Sequence, residues 1–125
     1  MIFTVSLTDN RDFLRLYKKG TAVFSRDFTL YFMPNRLPFN RLGITVGKKV
    51  GNAVTRNRIK RIIRSAYSEN EISFPIGYDI VISAKPSASL LKSTDVEKGI
   101  IKKAVSSMKC FDPSKAVKAN KEKLR

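Results

Sequence analysis

The sequence predicts a single small domain of the α+β class. Its 125 residues can form one hydrophobic core and are too few for two ordinary ones. Hydrophobic residues make up 42% of the chain, so its many charges are carried by a folded body. Segments with β-type alternation and segments with helical periodicity follow one another without an internal repeat or a linker between two cores. Together these observations indicate helices packed on one sheet.

The chain begins with a β-prone segment and a short helix. Residues 2–7 alternate in the manner of a strand, but at a terminus they are either a strand or an extended arm. Thr8 and Asp9 offer N-cap oxygens for a helix over Asn10–Lys18, and Gly20 ends it. Phe13 and Tyr17 lie on one face of this helix, so they are either core residues or stacking platforms for unpaired bases.

Two β-rich segments follow. Within Thr21–Met33, Ser25–Asp27 is a bend and Phe28–Met33 is the stronger strand. Its alternation buries one set of side chains and presents Tyr31 from the opposite side of the sheet. After a proline-rich loop, Arg41–Val46 returns as a strand, which predicts an antiparallel pair with the preceding one.

The second half of the chain reads as helix, strand and helix. Asn52 can cap a helix over about residues 53–67, and Gly77–Ala84 is a nearly continuous apolar run typical of a central strand. A strand, a helix and a strand in succession predict a βαβ unit whose last strand is parallel to a neighbour. A second amphipathic helix is predicted over Val96–Met108, capped by Thr94 and Asp95.

The charge of the chain indicates its class of partner. The net charge is +15 with a pI near 10.3, which favours a nucleic acid, an anionic membrane surface or an acidic protein. No acidic residue occurs from Phe28 to Ser68. The chain has no apolar run of the roughly 18 residues that a membrane span needs, and no secretory signal, so we expect a cytoplasmic protein without a membrane partner.

The residue types argue against self-contained catalysis. There are no histidines, which removes the usual general base and the usual zinc ligand. The ten carboxylates are scattered, and Cys110 is the only cysteine, so we expect no catalytic residue, no protein metal site and no small-molecule substrate.

The helix after Asn52 has two different faces. Its apolar sector comprises Ile59, Ile62, Ile63 and Ala66. Its opposite sector comprises Asn57, Lys60, Arg61 and Arg64. Arg56 and Arg58 flank the basic sector on its two edges. A solvated charged face is the ordinary alternative, but such faces interleave signs, and here no nearby acid is available. The pattern therefore favours a surface that binds a polyanion.

A glycine-lysine loop precedes this helix. Lys48 and Lys49 stand between Gly47 and Gly51, directly before the predicted N-cap. Backbone N–H groups, a helix N-terminus and two ammonium groups together make a phosphate site. The spacing is not that of a Walker loop.

The run RLGITVGKKVGNAVTRNRIKR, over residues 41–61, closely resembles the signature of the bacterial ribonuclease P protein component. Its Gly-Asn-Ala-Val and Arg-Asn-Arg elements stand at the spacing of that family. The resemblance extends upstream to Asn10–Phe13 and downstream to Lys85-Pro86, and it covers about residues 8–109.

The resemblance implies a fold and a function. The fold has the order α-β-β-β-α-β-α, as in a ribosomal-protein domain, with a mostly antiparallel central sheet and a βαβ crossover. The RNA-binding domain spans residues 1–110, and a basic tail spans residues 111–125. The chain would be the protein subunit of a ribonucleoprotein endoribonuclease. Its catalytic RNA, with magnesium held by the RNA, would remove the 5′ leader of precursor tRNA.

Family roles carry over to matching residues. The contacts with the catalytic RNA would be made by Lys48, Lys49, Asn52, Arg56, Asn57, Arg58, Lys60, Arg61 and Arg64. Lys48 and Lys49 lie between the two sites and can serve either RNA. The leader would lie in a cleft lined by Phe13, Tyr17 and Tyr31. Two alternatives stay open: a binding module of another ribonucleoprotein with the same fold, and a nuclease that acts by itself.

Overall fold

The structure is a computed structural model, and it describes residues 2–90 and 100–109. Its five strands are β1 (Thr4–Ser6), β2 (Thr21–Phe24), β3 (Phe28–Pro34), β4 (Asn40–Val46) and β5 (Tyr78–Ala84). Its α-helices are α1 (Asn10–Lys19), α2 (Ala53–Glu69) and α3 (Lys102–Lys109). The predicted α+β class is confirmed. These strands and α-helices follow the order α-β-β-β-α-β-α that the resemblance implies, with strand β1 added before the first helix.

The sheet has the strand order β1-β4-β5-β3-β2. β5 pairs in parallel with β4 and antiparallel with β3; β1 joins β4 in parallel, and β2 joins β3 antiparallel. The sheet is therefore mixed rather than mostly antiparallel. The predicted antiparallel pair of β3 and β4 is wrong, because β5 lies between them. The predicted parallel alignment of the last strand is confirmed, and β4, α2 and β5 form the βαβ unit.

The position of β5 follows from its side chains. Residues 79–82 are buried in succession, which requires cover on both faces of the sheet. On one face, Phe28, Leu30 and Phe32 pack in the main core with side chains from α2 and α3. The opposite face has a smaller core of Leu7, Leu16 and Val81, which α1 covers. The predicted alternation of β3 is thus confirmed, with Tyr31 on the α1 side.

The N-terminal segment is an edge strand and not a free arm. The carboxylate of Glu71 is buried and accepts hydrogen bonds from the backbone N–H groups of Ile2 (2.6 Å) and Phe3 (3.3 Å). The hydroxyl groups of Thr4 and Tyr67 are 2.9 Å apart, so β1 is also tied to α2. The resemblance implies that the first element of the chain is a helix, and this additional strand corrects that order.

Glu71 makes the attachment of β1 sensitive to pH. Burial by itself raises the pKa of Glu71, but hydrogen bonds from Thr4, Ile2 and Phe3 outweigh it and hold the pKa below its ordinary value. A depressed carboxyl pKa adds stability above the unfolded value of about 4.3, and this stability is lost as the pH falls through the folded pKa.

We therefore expect Glu71→Gln to lower the free energy of unfolding at pH 7 by about 1–3 kcal/mol, because a charged acceptor is lost. The difference in stability between pH 7 and pH 3 should shrink in this variant. Urea unfolding at both pH values measures it, and Glu69→Gln, at an exposed position of α2, is the matched control. An unchanged pH profile for Glu71→Gln would contradict this role.

The predicted C-terminal helix lies partly within the described residues. Ile100, Ile101, Ala104 and Met108 are buried, which confirms its apolar face. The predicted caps Thr94 and Asp95, as well as Cys110 and the tail 111–125, lie outside the described residues. Among residues 2–90 and 100–109, no helix is long and apolar enough to cross a membrane.

Candidate nucleic-acid interface

The start of α2 is built by its cap and by the turn before it. Asn52 Oδ1 accepts a hydrogen bond from Thr55 N at 2.9 Å, which confirms the predicted N-cap. Gly51 is required by close packing, since a Cβ there would lie 2.9 Å from Thr55 Cγ2. The first two helical residues, Ala53 and Val54, are exposed, and the N-terminal N–H groups of a helix are suited to binding an anion.

The predicted phosphate loop is a short 3-10 turn over Lys48–Val50. Val50 is buried and anchors the turn on the main core, whereas Lys48 and Lys49 are exposed. Two ammonium groups are thus held within a few residues of a helix N-terminus. This arrangement has the charge and the backbone donors of a phosphate site.

The two faces predicted for α2 are present. Ile59, Ile63, Ala66 and Tyr67 are buried. Asn57, Arg61 and Arg64 are exposed, and Lys60 is half-buried. Within the described part of the chain, Lys60, Arg61 and Arg64 form no ion pair. A face of unpaired like charges repels itself, and a polyanion would relieve that repulsion.

The two flanking arginines are more restricted than the sequence indicates. The guanidinium group of Arg58 donates a hydrogen bond to the carbonyl oxygen of Ser89, in the turn that follows β5. Arg58 therefore has a structural contact besides any ligand. Arg56 is half-buried, and its Nε is buried with no hydrogen-bond partner among the described residues. An anionic ligand that reorients this guanidinium group would relieve the cost of the unsatisfied donor.

An aromatic pair occupies the other face of the sheet. The rings of Tyr17 and Tyr31 meet edge to face, with centroids 5.0 Å apart and an interplanar angle of 78°. Tyr17 is 40% exposed, and its hydroxyl donates to Thr45 Oγ1 at 3.4 Å. Thr29, Ser83 and Thr45 lie side by side on the adjacent strands β3, β5 and β4. The pair thus borders a shallow cleft between α1 and the sheet, and its predicted role as a leader site stays a prediction.

Phe13 lies on the same face of the sheet as the tyrosine pair and rests on β4. It packs against the smaller core, and a Cβ at Gly43 would lie 2.5 Å from Phe13 Cζ, so the ring rests directly on the backbone of β4. The core interpretation therefore holds for one side of this ring. All three aromatic residues predicted to line one cleft thus lie on the α1 side of the sheet, and their predicted role in binding the leader stays a prediction.

The other side of Phe13 borders a second concavity, which we call the edge groove. It has a volume of about 420 Å³ and is lined by residues 4–8, Phe13, Leu42–Ile44, Lys60 and Arg64. It lies where β1 ends beside β4, at the edge of the sheet. Sequence reasoning missed it, because its walls come from four segments that meet only in the folded chain.

Arg41, which lies in the segment without acidic residues from Phe28 to Ser68, has a structural role. Arg41 donates two hydrogen bonds to the buried carboxylate of Asp79, from Nε at 2.7 Å and from Nη2 at 2.6 Å. Its Nη1 lies 3.4 Å from Asp12 of α1, and Asn35 also donates to Asp79. This network joins β4, β5 and α1, so it holds the helix that carries Tyr17.

The carboxylates near these surfaces are used internally. Asp9 pairs with Arg11, Asp12 with Arg15 and Arg41, and Asp79 with Arg41. The described residues contain no group of three or more His, Cys, Asp or Glu side chains that could hold a metal ion.

Fold and site together define a small basic α+β protein of the nucleic-acid-binding class, with a cationic helix on one sheet face and an aromatic cleft on the other. Residues 3–108 match the family model described as Ribonuclease P. The chain belongs to the ribonuclease P protein family.

Individual relatives agree with this assignment. The ribonuclease P protein component of Syntrophus aciditrophicus is 48% identical over 86 residues, which are 69% of this chain and 72% of the relative. The RNase P protein of Staphylococcus aureus superposes with a TM-score of 0.74 at 34% identity, over 82% of this chain and 94% of that one. The protein of Thermotoga maritima gives a TM-score of 0.72 at 30% identity, over 86% and 97%.

Proposed function

We propose that this chain binds the catalytic RNA of ribonuclease P through α2 and its preceding loop, and the 5′ leader of precursor tRNA through the tyrosine cleft. The observation that carries the proposal is the acid-free cationic face of α2, with Lys60, Arg61 and Arg64 unpaired among the described residues. Membership of the family supports the identity of the partner. The cytoplasmic location expected from the sequence stays a prediction.

In this proposal the protein positions RNA and does not cleave it. The chain has no histidine, and the described carboxylates of Asp9, Asp12, Asp79 and Glu71 all have internal partners. These carboxylates are engaged within the protein, and in this proposal the magnesium ions that cleavage requires are held by the RNA. The contribution of the chain is charge neutralisation along α2 and a stacking surface for unpaired leader bases.

Reconstitution with purified components tests the proposal. Precursor tRNA and magnesium are incubated with the protein, with the large structured RNA, and with both. We expect leader removal to require the RNA and to be faster with both components. Cleavage by the protein alone would support the self-sufficient nuclease. No effect of the protein on cleavage by the RNA would support a module of another ribonucleoprotein.

The tyrosine cleft should discriminate substrates that carry a leader. We expect Tyr17→Ala to weaken binding of precursor tRNA to the assembled complex by about 1–3 kcal/mol, because a stacking surface for a base is lost. Binding of mature tRNA should change much less. Equilibrium binding of both tRNAs measures the difference.

Two controls accompany Tyr17→Ala. Tyr17→Phe keeps the ring and removes only the hydroxyl that contacts Thr45, so it should retain most of the affinity. Leu14→Ala removes an exposed apolar side chain from the same helix and should have little effect. Equal losses for precursor and mature tRNA would refute the stacking role.

A further inference from the structure

The edge groove exposes backbone groups of β4. The N–H of Asn40 donates to the carbonyl oxygen of Phe3, and the carbonyl oxygen of Leu42 accepts from Leu7 N. Alternate residues of β4 therefore direct their backbone groups towards β1. Ile44 is next in this alternation, but the pairing with β1 ends at Leu42. Its N–H and C=O face the groove with no strand opposite them.

The mouth of the groove is cationic. Lys60 and Arg64 line it from α2, one helical turn apart, and no carboxylate is among the lining residues. The exposed side chains of Ser6 and Thr8 add hydroxyl groups on the opposite wall. A concave site with two cations and neutral donors attracts an anionic group such as a phosphate.

The inner wall of the groove is apolar and fixed. Phe13 is held against Gly43, while Leu7 and Leu42 are buried beside it. The volume of about 420 Å³ is in the range of small-ligand pockets, roughly 300–1,000 Å³. This volume suits a single nucleotide that is turned out of an RNA helix. The base of this nucleotide would pack against the apolar wall and form hydrogen bonds with the backbone N–H and C=O of Ile44. Its phosphate would contact Lys60 and Arg64.

We propose that the edge groove binds a single unpaired nucleotide of the catalytic RNA. The inference rests on the proposed function and names a subsite of it. The RNA that lies along α2 is the source of this nucleotide, because Lys60 and Arg64 belong to the cationic face of α2. The groove borders the sheet face of the tyrosine cleft through Leu7 and Phe13, but neither Tyr17 nor Tyr31 is among its lining residues.

Filling the groove without changing its charge provides the test. Ser6→Phe places an aromatic ring in the groove from an exposed position of β1, where a strand tolerates it. We expect the full chain with this substitution to bind the catalytic RNA, without substrate, about 5- to 150-fold more weakly. The dependence of affinity on salt should stay that of the wild type, because no cation is removed. Lys60→Ala should instead reduce the salt slope by about one.

Chemical probing of the RNA 2′-hydroxyl groups locates the nucleotide. We expect the wild-type chain to protect one nucleotide that becomes reactive again with Ser6→Phe, while the remaining footprint persists. Ser73→Phe, at an exposed serine outside the groove, should bind and protect as the wild type does. Thr8→Phe enters the groove from another residue and should reproduce the effect of Ser6→Phe if that variant does not fold.

The outcomes separate this inference from the proposed function. If the wild-type chain does not bind the RNA, the proposed function fails. If it binds and both groove variants retain the wild-type affinity and footprint, the subsite is refuted and the proposed function stands. Protection that appears only when leader-bearing precursor tRNA is added would also overturn the assignment to the catalytic RNA.

Discussion

Asp79→Ala is expected to lower the free energy of unfolding by about 3–5 kcal/mol, because it leaves Arg41 without the partner of a buried ion pair. The carboxylate is 3% exposed and accepts both hydrogen bonds of the Arg41 fork as well as one from Asn35. Arg41 is only partly buried, so water can recover some of the loss and the lower end of this range is the more realistic one. Urea unfolding at neutral pH measures the change.

The exposed pair of Asp9 and Arg11 is the matched control. Its side chains are 44% and 86% exposed, so Arg11→Ala should change the stability far less than Asp79→Ala does. The pair of Asp79 and Arg41 also reaches α1, because Arg41 contacts Asp12 of that helix. A loss for Asp79→Ala no larger than that for Arg11→Ala would show that the pair does not anchor the sheet.

The second large effect concerns salt. If five phosphates are neutralised, a fourfold rise in salt should weaken binding of the catalytic RNA by about 100- to 500-fold. Replacing Lys60, Arg61 and Arg64 together by Ala leaves two such contacts, so the same rise in salt should cost only about 7- to 12-fold. Equilibrium titrations at several salt concentrations measure both slopes.

A second triple variant with the same net charge as the first tests whether the RNA binds to α2 or is attracted by the overall charge of the protein. Replacing Arg26, Arg36 and Lys102 by Ala also removes three exposed cations, but none of them lies on α2. This variant should keep nearly the wild-type slope. If the two triple variants flatten the slope equally, the RNA is attracted by the overall charge, and α2 is not the binding face. Arg58 is left intact because its contact with Ser89 would confuse stability with binding.

Local features of the fold could be predicted from the sequence. The caps at Asp9 and Asn52 were predictable because a side-chain oxygen and the N–H groups it accepts lie within three residues. The two faces of α2 and the alternation of β3 follow from short-range periodicity in the same way. These features depend on neighbours in the chain, which a sequence displays directly.

Strand pairing and the edge groove depend on distant segments. Adjacent β-rich segments suggest a hairpin, yet β5 takes the central position between β3 and β4, where helices cover the sheet on both faces and its run of buried residues is accommodated. The burial of Glu71 depends on Ile2, nearly seventy residues away in the chain. Periodicity could not show that the ring of Phe13 rests on Gly43, since spacing on a helix defines a face and not what the face meets.

The short length of β1 also affects how copies of this protein behave towards one another. Past Leu42 the edge of β4 is open, and an open edge is a template on which a strand of another molecule can add. Lys60 and Arg64 stand beside that opening, and every approaching copy carries a net charge of +15. Repulsion between like charges therefore protects the free protein from edge-to-edge association. An RNA seated there would remove the hazard by covering the edge itself.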